Sequence, residues 1–369
     1  MRRVTRKYLG LANIAFFAGA LCLVLFINLG SSSQDRVFDW NTVRYKSAAR
    51  SLPEARGACP GLSQTRKPAL VISRVAADGD SAWLKPLEKK YHLCVYTVDD
   101  AKDRASYHLQ VPANRGHEAM VFLTFLADNY ENIPAAGAVF IHGARYQWHN
   151  DQPEYDNLDL LSSLNVSNAL KPYGYHNLRC DWSASTCSAK ESVPQRSLET
   201  VFKARLQPWD ARAVSDVALS DALVTLFGGG KPNEQVLLGR FDAVRSQCCA
   251  QFVVSPQHIW QHSRAEYVAL RQWLLDGGHG QGTAPLDDRV AGRIISYVWH
   301  ILFMQDARSP ISLDQLNAQA CPSAPDCYCR LYGRCNLQGC TSGGCRGQYN
   351  LPPGFRLPAG FEKAHVGLT

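Results

Sequence analysis

The feature that most constrains this chain is a helix followed by a short buried strand in its middle. Between Met120 and Tyr130, apolar residues cover nearly the whole helical circumference, which predicts a helix buried on more than one side. Pro134 ends that helix. The apolar run at 138–141 is typical of a buried parallel strand. Such a pair indicates layers of helix packed against a sheet.

The segments before this pair repeat the pattern. Strands are expected at Ala69–Ser73 and Leu93–Val98, with a helix at Ser81–Tyr91 between them. The order strand, helix, strand, helix, strand predicts an α/β fold: three layers, with a mostly parallel sheet flanked by helices. We assign residues 68–310 to this domain.

The N-terminus has the pattern of a membrane anchor. Four basic residues precede an uncharged apolar run at 8–29, and a spanning helix needs about 20 such residues. The pattern predicts a cytosolic tail at 1–7 and a transmembrane signal anchor at 8–29. The expected protein is single-pass and type II, with its body in the Golgi or secretory lumen or at the cell surface. A cleaved signal peptide is the alternative.

Cysteine usage agrees with export. One of 13 cysteines lies in the apolar run, and the other 12 form an even number, as disulfides require. Six of them fall in a cysteine-rich segment at 311–350, whose pairing stays open, and zinc binding is the weaker alternative. The adjacent Cys248 and Cys249 are expected to reach different partners. Asn165 begins a glycosylation sequon.

Polar segments flank the domain on both sides. Residues 30–67 are rich in Ser, Arg and Gln and are predicted to form a stem, and residues 351–369 form a C-terminal tail. Cys59, near the end of the stem, is a candidate for a disulfide to the body.

Charge and motifs exclude several classes of function. The net charge of +7 is mild, and no Lys/Arg-rich block with interleaved aromatics occurs, so a nucleic-acid partner is not expected. The chain has no GxGxxG after its first strand and no Walker loop, which excludes the usual dinucleotide and P-loop sites. It has no GxSxG, which argues against a serine hydrolase.

The polar cluster after the strand at 138–141 is the main candidate site. In open α/β sheets, ligands bind beyond the carboxyl ends of the strands, where His142, Arg145, His149 and Asp151 would lie. Two imidazoles and a carboxylate can bind a transition metal, and one imidazole oriented by a carboxylate can act as a general base. Packing is one alternative, and phosphate contact through Arg145 without a metal is another.

Residues from two other segments are expected at the same rim. Arg74 and Asp80 follow the first strand, and Asn114 and Glu118 stand at the entry of the central helix. Parallel strands point their carboxyl ends to one edge of the sheet, so these side chains would meet the cluster around His142. A solvated turn is the alternative for Asp80.

Several sequence blocks together resemble one protein family. The blocks are SRVAADGDSAWL, NRGHEAMVFLTFLADNYENIP, VFIHGARYQWHND, GYHNLRCDW, CCAQFVVS, YVALRQWLLD, GRIISYVWHILF and CYCRLYG. In their order they resemble the fungal members of the family of domain of unknown function 3431. The resemblance covers about Ala69 to Gly333. The family has no established activity that could be assigned to this chain.

The chain departs from the pattern of that family at three places. The family commonly has a Tyr and an acidic pair after the first-strand arginine, where this chain has Val75 and two alanines. It commonly has a second arginine where this chain has His117. Its last helix commonly carries an acid where this chain has Ser296. These departures leave a weakened or non-catalytic member as an alternative.

A remoter similarity is to nucleotide-sugar transferases of the GT-A type. In that fold the end of the first strand holds the nucleotide, and a later strand ends in an Asp-x-Asp motif that binds a divalent metal and the diphosphate. The corresponding strand here ends in His142-Gly143. This similarity is an analogy at the level of the fold.

The leading hypothesis is a glycosyltransferase-like enzyme that uses a nucleotide-sugar donor and a glycan acceptor. Arg74 and Asp80 would line the nucleotide pocket, with Asn114 and Glu118 supporting the rim. The diphosphate, or a divalent metal ion as cofactor, would be contacted by His142, Arg145, His149 and Asp151. The alternatives are a non-catalytic luminal or cell-surface binding protein and a metal-dependent enzyme based on His142 and His149.

Overall fold

The fold is an α/β sheet with helices on both faces, seen in a computed structural model. The structure describes residues 2–28, 36–49, 51–53, 56–99, 109–188, 192–280, 282–306 and 308–349. The predicted tail at 351–369 and the first residues of the predicted stem lie outside these ranges. The six strands of the main sheet are β1 (Ala69–Arg74), β2 (His92–Thr97), β3 (Leu109–Gln110), β4 (Ala138–His142), β5 (Tyr175–Asn177) and β6 (Phe252–Val254).

The strands of the sheet run in the order β3-β2-β1-β4-β6-β5. The first four are parallel to their neighbours, and β6 is antiparallel to both β4 and β5. The fold is therefore a mixed α/β one: four strands are parallel, as predicted for most of the sheet, and β6 runs against both of its neighbours. Since β1 connects to β2 on one side and β3 connects to β4 on the other, β1 and β4 form the topological switch point where such sheets bind ligands.

The α-helices of the described residues follow in chain order. They are α1 (Arg2–Asn28), α2 (Glu118–Asp128), α3 (Asn157–Ser163), α4 (Val166–Leu170), α5 (Leu198–Leu206), α6 (Ala211–Gly228), α7 (Pro256–Ile259), α8 (Arg264–Leu275), α9 (Asp288–Met304), α10 (Leu313–Ala320) and α11 (Ala324–Tyr332). A small hairpin of β7 (Cys340–Thr341) and β8 (Gly344–Cys345) closes the cysteine-rich segment.

Side chains along the central strands point alternately to the two faces of the sheet, so the core consists of two clusters. Val71 and Phe140 face the core formed with α2, α6, α8 and α9. Ile72 and Ile141 face the opposite core formed with α3, α4 and α11. Successive side chains of a strand point to opposite faces, so a continuous apolar run is what a sheet covered on both sides requires.

Part of the predicted stem contributes to the core. Phe38 and Trp40 stack with their ring centroids 4.1 Å apart, and both are fully buried. The Trp40 indole donates to the Val236 carbonyl at 3.0 Å. Residues 36–49 therefore pack on the domain.

The predicted transmembrane anchor is corrected. Residues within 8–29 are helical, as part of α1. Crossing a bilayer takes one helix of about 20 mainly apolar residues. Throughout the ranges that the structure describes, none of the helices combines that length with that apolar character.

Six disulfides join all 12 cysteines outside the N-terminal helix. They are Cys59–Cys94, Cys180–Cys327, Cys187–Cys321, Cys248–Cys249, Cys329–Cys335 and Cys340–Cys345. The expected link between Cys59 and the body is confirmed, whereas the expectation that Cys248 and Cys249 reach different partners is wrong. Six disulfides indicate an oxidising secretory or extracellular location.

A buried ion pair joins α2 to α8. Arg271 Nη1 lies 3.1 Å from Asp128 Oδ1, and the two side chains are 3% and 0% exposed. Asp128 Oδ2 also accepts from the Gly57 amide at 3.0 Å. A buried charge that loses its partner has no water to replace it, so the pair fixes the helices against each other.

We predict that Arg271→Met destabilises the fold by about 3–5 kcal/mol, because it leaves the Asp128 carboxylate buried without its cation. Arg308→Met is the matched control, since Arg308 is 85% exposed and its pair with Asp306 contributes at most about 1 kcal/mol. Urea unfolding followed by circular dichroism measures both. Equal midpoints for the two variants would contradict the assignment.

Candidate functional site

A cleft of about 250 Å³ lies at the carboxyl edge of the sheet. Its walls are the start of α2, one side of α9 and the segment that leads into β6. Since α2 follows the carboxyl end of β3 and β6 runs antiparallel to β4, both walls meet the edge where β4 ends. The lining residues are His117, Glu118, Trp148, Ala184, Ser185, Thr186, Ser246, Gln247, Cys248, Cys249, Arg289, Gly292, Arg293, Ser296 and Tyr297.

A clamp on α9 holds the turn that opens α2. Asp288 Oδ1 accepts from the Gly116 amide at 2.6 Å and from Arg115 Nη1 at 3.0 Å. Gly116 has φ of +71°, which favours glycine. A Cβ on Gly292 would lie 3.0 Å from the Gly116 carbonyl oxygen, a tight contact, so glycine there allows α9 to approach the turn closely. The clamp places His117 and Glu118 opposite the polar side of α9.

Glu118 is the carboxyl group of the cleft. Burial raises its pKa, and the nearby Asp288 carboxylate raises it further. The amide of Glu118 itself and His117 oppose that shift without cancelling it. A carboxyl group with a raised pKa can exchange a proton closer to neutral pH than an ordinary one.

The α9 wall carries cations and a phenol. Arg289, Arg293, Ser296 and Tyr297 recur at helical spacing on one side of the helix. Among the described residues, Arg293 Nε is buried without a hydrogen-bond partner. The Tyr297 hydroxyl donates to Asp216 Oδ1 at 2.7 Å. Burial raises the pKa of Asp216, against the hydrogen bond from Tyr297 and the charge of Arg293.

A second cavity of about 290 Å³ adjoins the cleft, because Ser185 and Thr186 line both. Its wall holds Asp216, Arg212 and Lys203. A ligand that fills the cleft can therefore extend past Ser185 toward α5 and α6.

The two predicted site histidines lie directly behind the cleft. The ring of Trp148, which lines the cleft, contacts His149 at 5.2 Å, and the His149 ring contacts His142 at 4.7 Å between centroids. His142 Nε2 is hydrogen-bonded to Asn150 Oδ1 at 2.8 Å, and Gln251 Nε2 donates to the same oxygen at 3.1 Å. Burial lowers the pKa of His142 to about 4 and that of His149 well below the usual range. Both imidazoles are therefore neutral at physiological pH.

The hydrogen-bond partners of the Asp151 carboxylate differ from those of the histidines. Its carboxylate accepts from the Cys180 and Asp181 amides at 2.5 and 3.0 Å and from the Tyr328 hydroxyl at 2.6 Å. Burial raises its pKa, although Arg179 and these donors oppose the rise. The contacts tie the loop after β4 to α11, next to the Cys180–Cys327 disulfide.

The structure places Arg74 beside Gly143 at the switch point. A Cβ on Gly143 would lie 2.3 Å from the Arg74 Cβ, so the ends of β1 and β4 touch as expected. Arg74 Nη2 donates to the Gly79 carbonyl at 2.8 Å. The Asp80 carboxylate accepts from the Ala82 amide at 2.9 Å.

Arg145 and Asn114 do not line the cleft. Arg145 forms an ion pair with Asp156 at 2.7 Å, and Asp156 in turn caps the start of α3. Asn114 is exposed in the turn before α2. Of the eight predicted site residues, only Glu118 reaches the cleft surface, and the catalytic and binding roles of the others stay predictions.

The donor set does not fit a divalent metal at the predicted place. Within the ranges that the structure describes, His142, His149 and Asp151 do not bring three ligand atoms together within 4.8 Å. The one group that meets this criterion is Cys59, His92 and Cys94, in which the two cysteines form a disulfide and supply no thiolate. We therefore derive no chemical step through a metal.

The cleft residues missed by sequence reasoning come from distant segments. One side of α9 is buried in the core, and the other side carries Arg289, Arg293 and Ser296. The spacing of those residues was the available signal. For Cys248 and Cys249 there was none, because adjacency does not reveal pairing.

The fold and site define an α/β protein that is cross-linked by disulfides and has a polar cleft at its carboxyl edge. The comparison with protein families matches residues 70–330 to the family described as "Protein of unknown function (DUF3431)", and the chain belongs to that family. No curated protein and no solved structure matches the chain. The resemblance to GT-A transferases is not confirmed.

We predict that Asp151→Asn destabilises the fold by about 2–3 kcal/mol, because an amide cannot accept from all three buried donors. Thermal and urea unfolding measure the loss. Glu154→Gln, an exposed change in the same loop, is the control and leaves stability unchanged. A stable Asp151→Asn protein that has lost ligand binding would instead support the predicted chemical role.

Proposed function

We propose that the chain is a glycosyltransferase-like enzyme, located in the secretory pathway or outside the cell, that transfers a sugar from a nucleotide-sugar donor to a hydroxyl acceptor. The observation that carries the proposal is the position of Glu118, half-buried in a cleft whose opposite wall holds Arg289 and Arg293. Burial there raises the pKa of Glu118. A proton acceptor that shares a small cavity with two arginines suits a reaction in which an alcohol is deprotonated and an anion leaves.

The proposed step uses residues of the cleft alone. Glu118 takes the proton of the acceptor hydroxyl as the acceptor oxygen forms its bond to the anomeric carbon. The bond between that carbon and the diphosphate oxygen breaks, and its electron pair leaves with the diphosphate. The guanidinium groups of Arg289 and Arg293 stabilise this developing charge, the role that a metal takes in other transferases.

The shape of the site suits the binding of two substrates, a sugar donor and an acceptor. Trp148 offers a ring that is 40% exposed, and aromatic rings pack against the apolar face of a sugar. The adjoining cavity beyond Ser185, lined by Asp216 and Lys203, gives room for an acceptor next to the donor. Its polar lining suits a hydroxyl-rich molecule such as a glycan.

A non-catalytic binding protein is the second candidate. Two of the three departures from the pattern of the resembled family, His117 and Ser296, lie on the walls of the cleft. A cleft without that acid and that arginine could bind a ligand without catalysing a reaction. Under this alternative, wild-type protein binds nucleotide sugars or glycans and releases no nucleoside diphosphate.

We predict that Glu118→Gln lowers turnover by about 100-fold or more while the fold and donor binding are kept, because the amide cannot accept a proton. Release of nucleoside diphosphate from UDP-glucose and GDP-mannose, with a mixed glycan acceptor, measures turnover. Wild-type activity falls with decreasing pH as Glu118 becomes protonated. Because the Glu118 pKa is raised, this loss of activity occurs at a higher pH than an ordinary carboxyl group would give. Full activity of Glu118→Gln, with Glu154→Gln as the control, would contradict the assignment.

We predict that Arg293→Met weakens binding of UDP or GDP by about tenfold or more, since a hydrogen bond to a charged group contributes about 1.5–3 kcal/mol. Titration calorimetry measures the affinity. Arg308→Met removes an exposed cation outside the cleft and leaves the affinity unchanged. Folded wild-type protein that binds neither nucleoside diphosphate would reject the transferase.

A further inference from the structure

The wall of the cleft that leads into β6 contains a disulfide between neighbours in the chain. Cys248 and Cys249 are half-buried and line the cavity together with Gln247. Cys249 and Ala250 have φ of +79° and +43°, a region that residues with a side chain rarely adopt. Such backbone persists where the surrounding structure holds it, and it is concentrated at ligand sites.

The surrounding contacts hold this segment in place. The Ser246 amide donates to Thr186 Oγ1 at 2.9 Å, and the Thr186 amide donates to the Ser246 carbonyl at 3.0 Å. Asn177 Nδ2 donates to the Cys248 carbonyl at 3.4 Å. The disulfide is therefore a fixed part of the wall.

Gln247, next to the disulfide, carries a buried acceptor atom. Its side chain is 6% exposed, and its Nε2 donates to the Cys180 carbonyl at 3.3 Å. That bond fixes the amide, whereas its Oε1 is buried without a hydrogen-bond partner among the described residues. A buried acceptor of this kind costs free energy unless something donates to it.

We propose that the Cys248–Cys249 disulfide and Gln247 form the wall that contacts the ring of a sugar in the cleft. A sugar ring has a face of C–H groups and an edge of hydroxyls. The disulfide presents two polarisable sulfur atoms to the C–H face, and Gln247 Oε1 accepts from a hydroxyl at its edge. Two reduced thiols would rotate independently and release the backbone at Cys249, so the wall exists only in the oxidised protein.

The inference rests on the proposed function for its first probe, a nucleotide sugar. In the double variant Cys248→Ala/Cys249→Ala, the Kd for UDP-glucose or GDP-mannose, whichever the wild type binds, rises by roughly tenfold, the order expected for one lost packed contact. The Kd for the matching nucleoside diphosphate is unchanged, since the Arg289 and Arg293 side is intact. Cys329→Ala/Cys335→Ala removes another single-loop disulfide and alters neither affinity. Unchanged binding of the nucleotide sugar in the first variant would overturn the proposal.

A second measurement does not depend on the variant folding. Wild-type protein is treated with a dithiol, alkylated, and mapped by mass spectrometry. Bound nucleotide sugar slows reduction of Cys248–Cys249 and leaves the rate at Cys329–Cys335 unchanged, whereas equal rates with and without ligand would overturn the proposal.

The same mapping separates the two proposals. If the wild type binds no nucleotide, the transferase fails and methyl glycosides at millimolar concentration become the probes. Selective protection of Cys248–Cys249 by a methyl glycoside then supports the sugar-contacting wall without the transferase. No protection by any of these probes overturns the wall as well.

Discussion

The architecture of the cleft depends on one carboxylate. Asp288, in the first turn of α9, accepts from the Gly116 amide and from Arg115, and so binds the turn before α2 to the start of α9. Both groups come from a segment more than 170 residues earlier in the chain. That link holds the N-terminus of α2 opposite the polar side of α9. Gly292 completes the link, because a Cβ at this position would lie 3.0 Å from the Gly116 carbonyl oxygen.

The Asp288 carboxylate also affects the charged groups in and next to the cleft. Asp288 neutralises Arg115 beneath the cleft and at the same time raises the pKa of the neighbouring Glu118. Arg289 is the next residue of the same helix and Arg293 lies one turn further on, so one short stretch of α9 positions Glu118 and carries both cations. Arg289 pairs with Asp287 at 3.4 Å, whereas Arg293 Nε is buried without a hydrogen-bond partner among the described residues.

The sequence was sufficient to predict the layers of the fold. The runs that form β1 and β4 are apolar without interruption, and this pattern suits a strand covered on both faces, as Val71 and Ile72 are. Because parallel strands end at one edge of the sheet, the position of Arg74 after the first apolar run was also sufficient to place it against the end of β4. The reversed direction of β6 was not predictable, because three apolar residues carry no information about direction.

The candidate site was harder to predict, because proximity to a strand end does not give the direction of a side chain. Asp151 follows β4 by only nine residues, yet its carboxylate is enclosed by donors from Cys180, Asp181 and Tyr328. His149 lies behind Trp148, which lines the cleft, and His142 lies behind His149. The groups that do line it are brought together by tertiary contacts, such as the one at Asp288, that no local pattern encodes.

Two departures from the family pattern, Ser296 and His117, lie in the cleft, and both bear on the chemistry of Glu118. Ser296 in place of an acid leaves Glu118 as the carboxyl group on the wall opposite the arginines, which concentrates any proton transfer on that one residue. His117 in place of an arginine removes a permanent cation from beside Glu118. A permanent cation there would favour the charged form of the carboxyl group and so lower its pKa. The substitution therefore favours a higher Glu118 pKa, which is the property that the proposed reaction requires of the base.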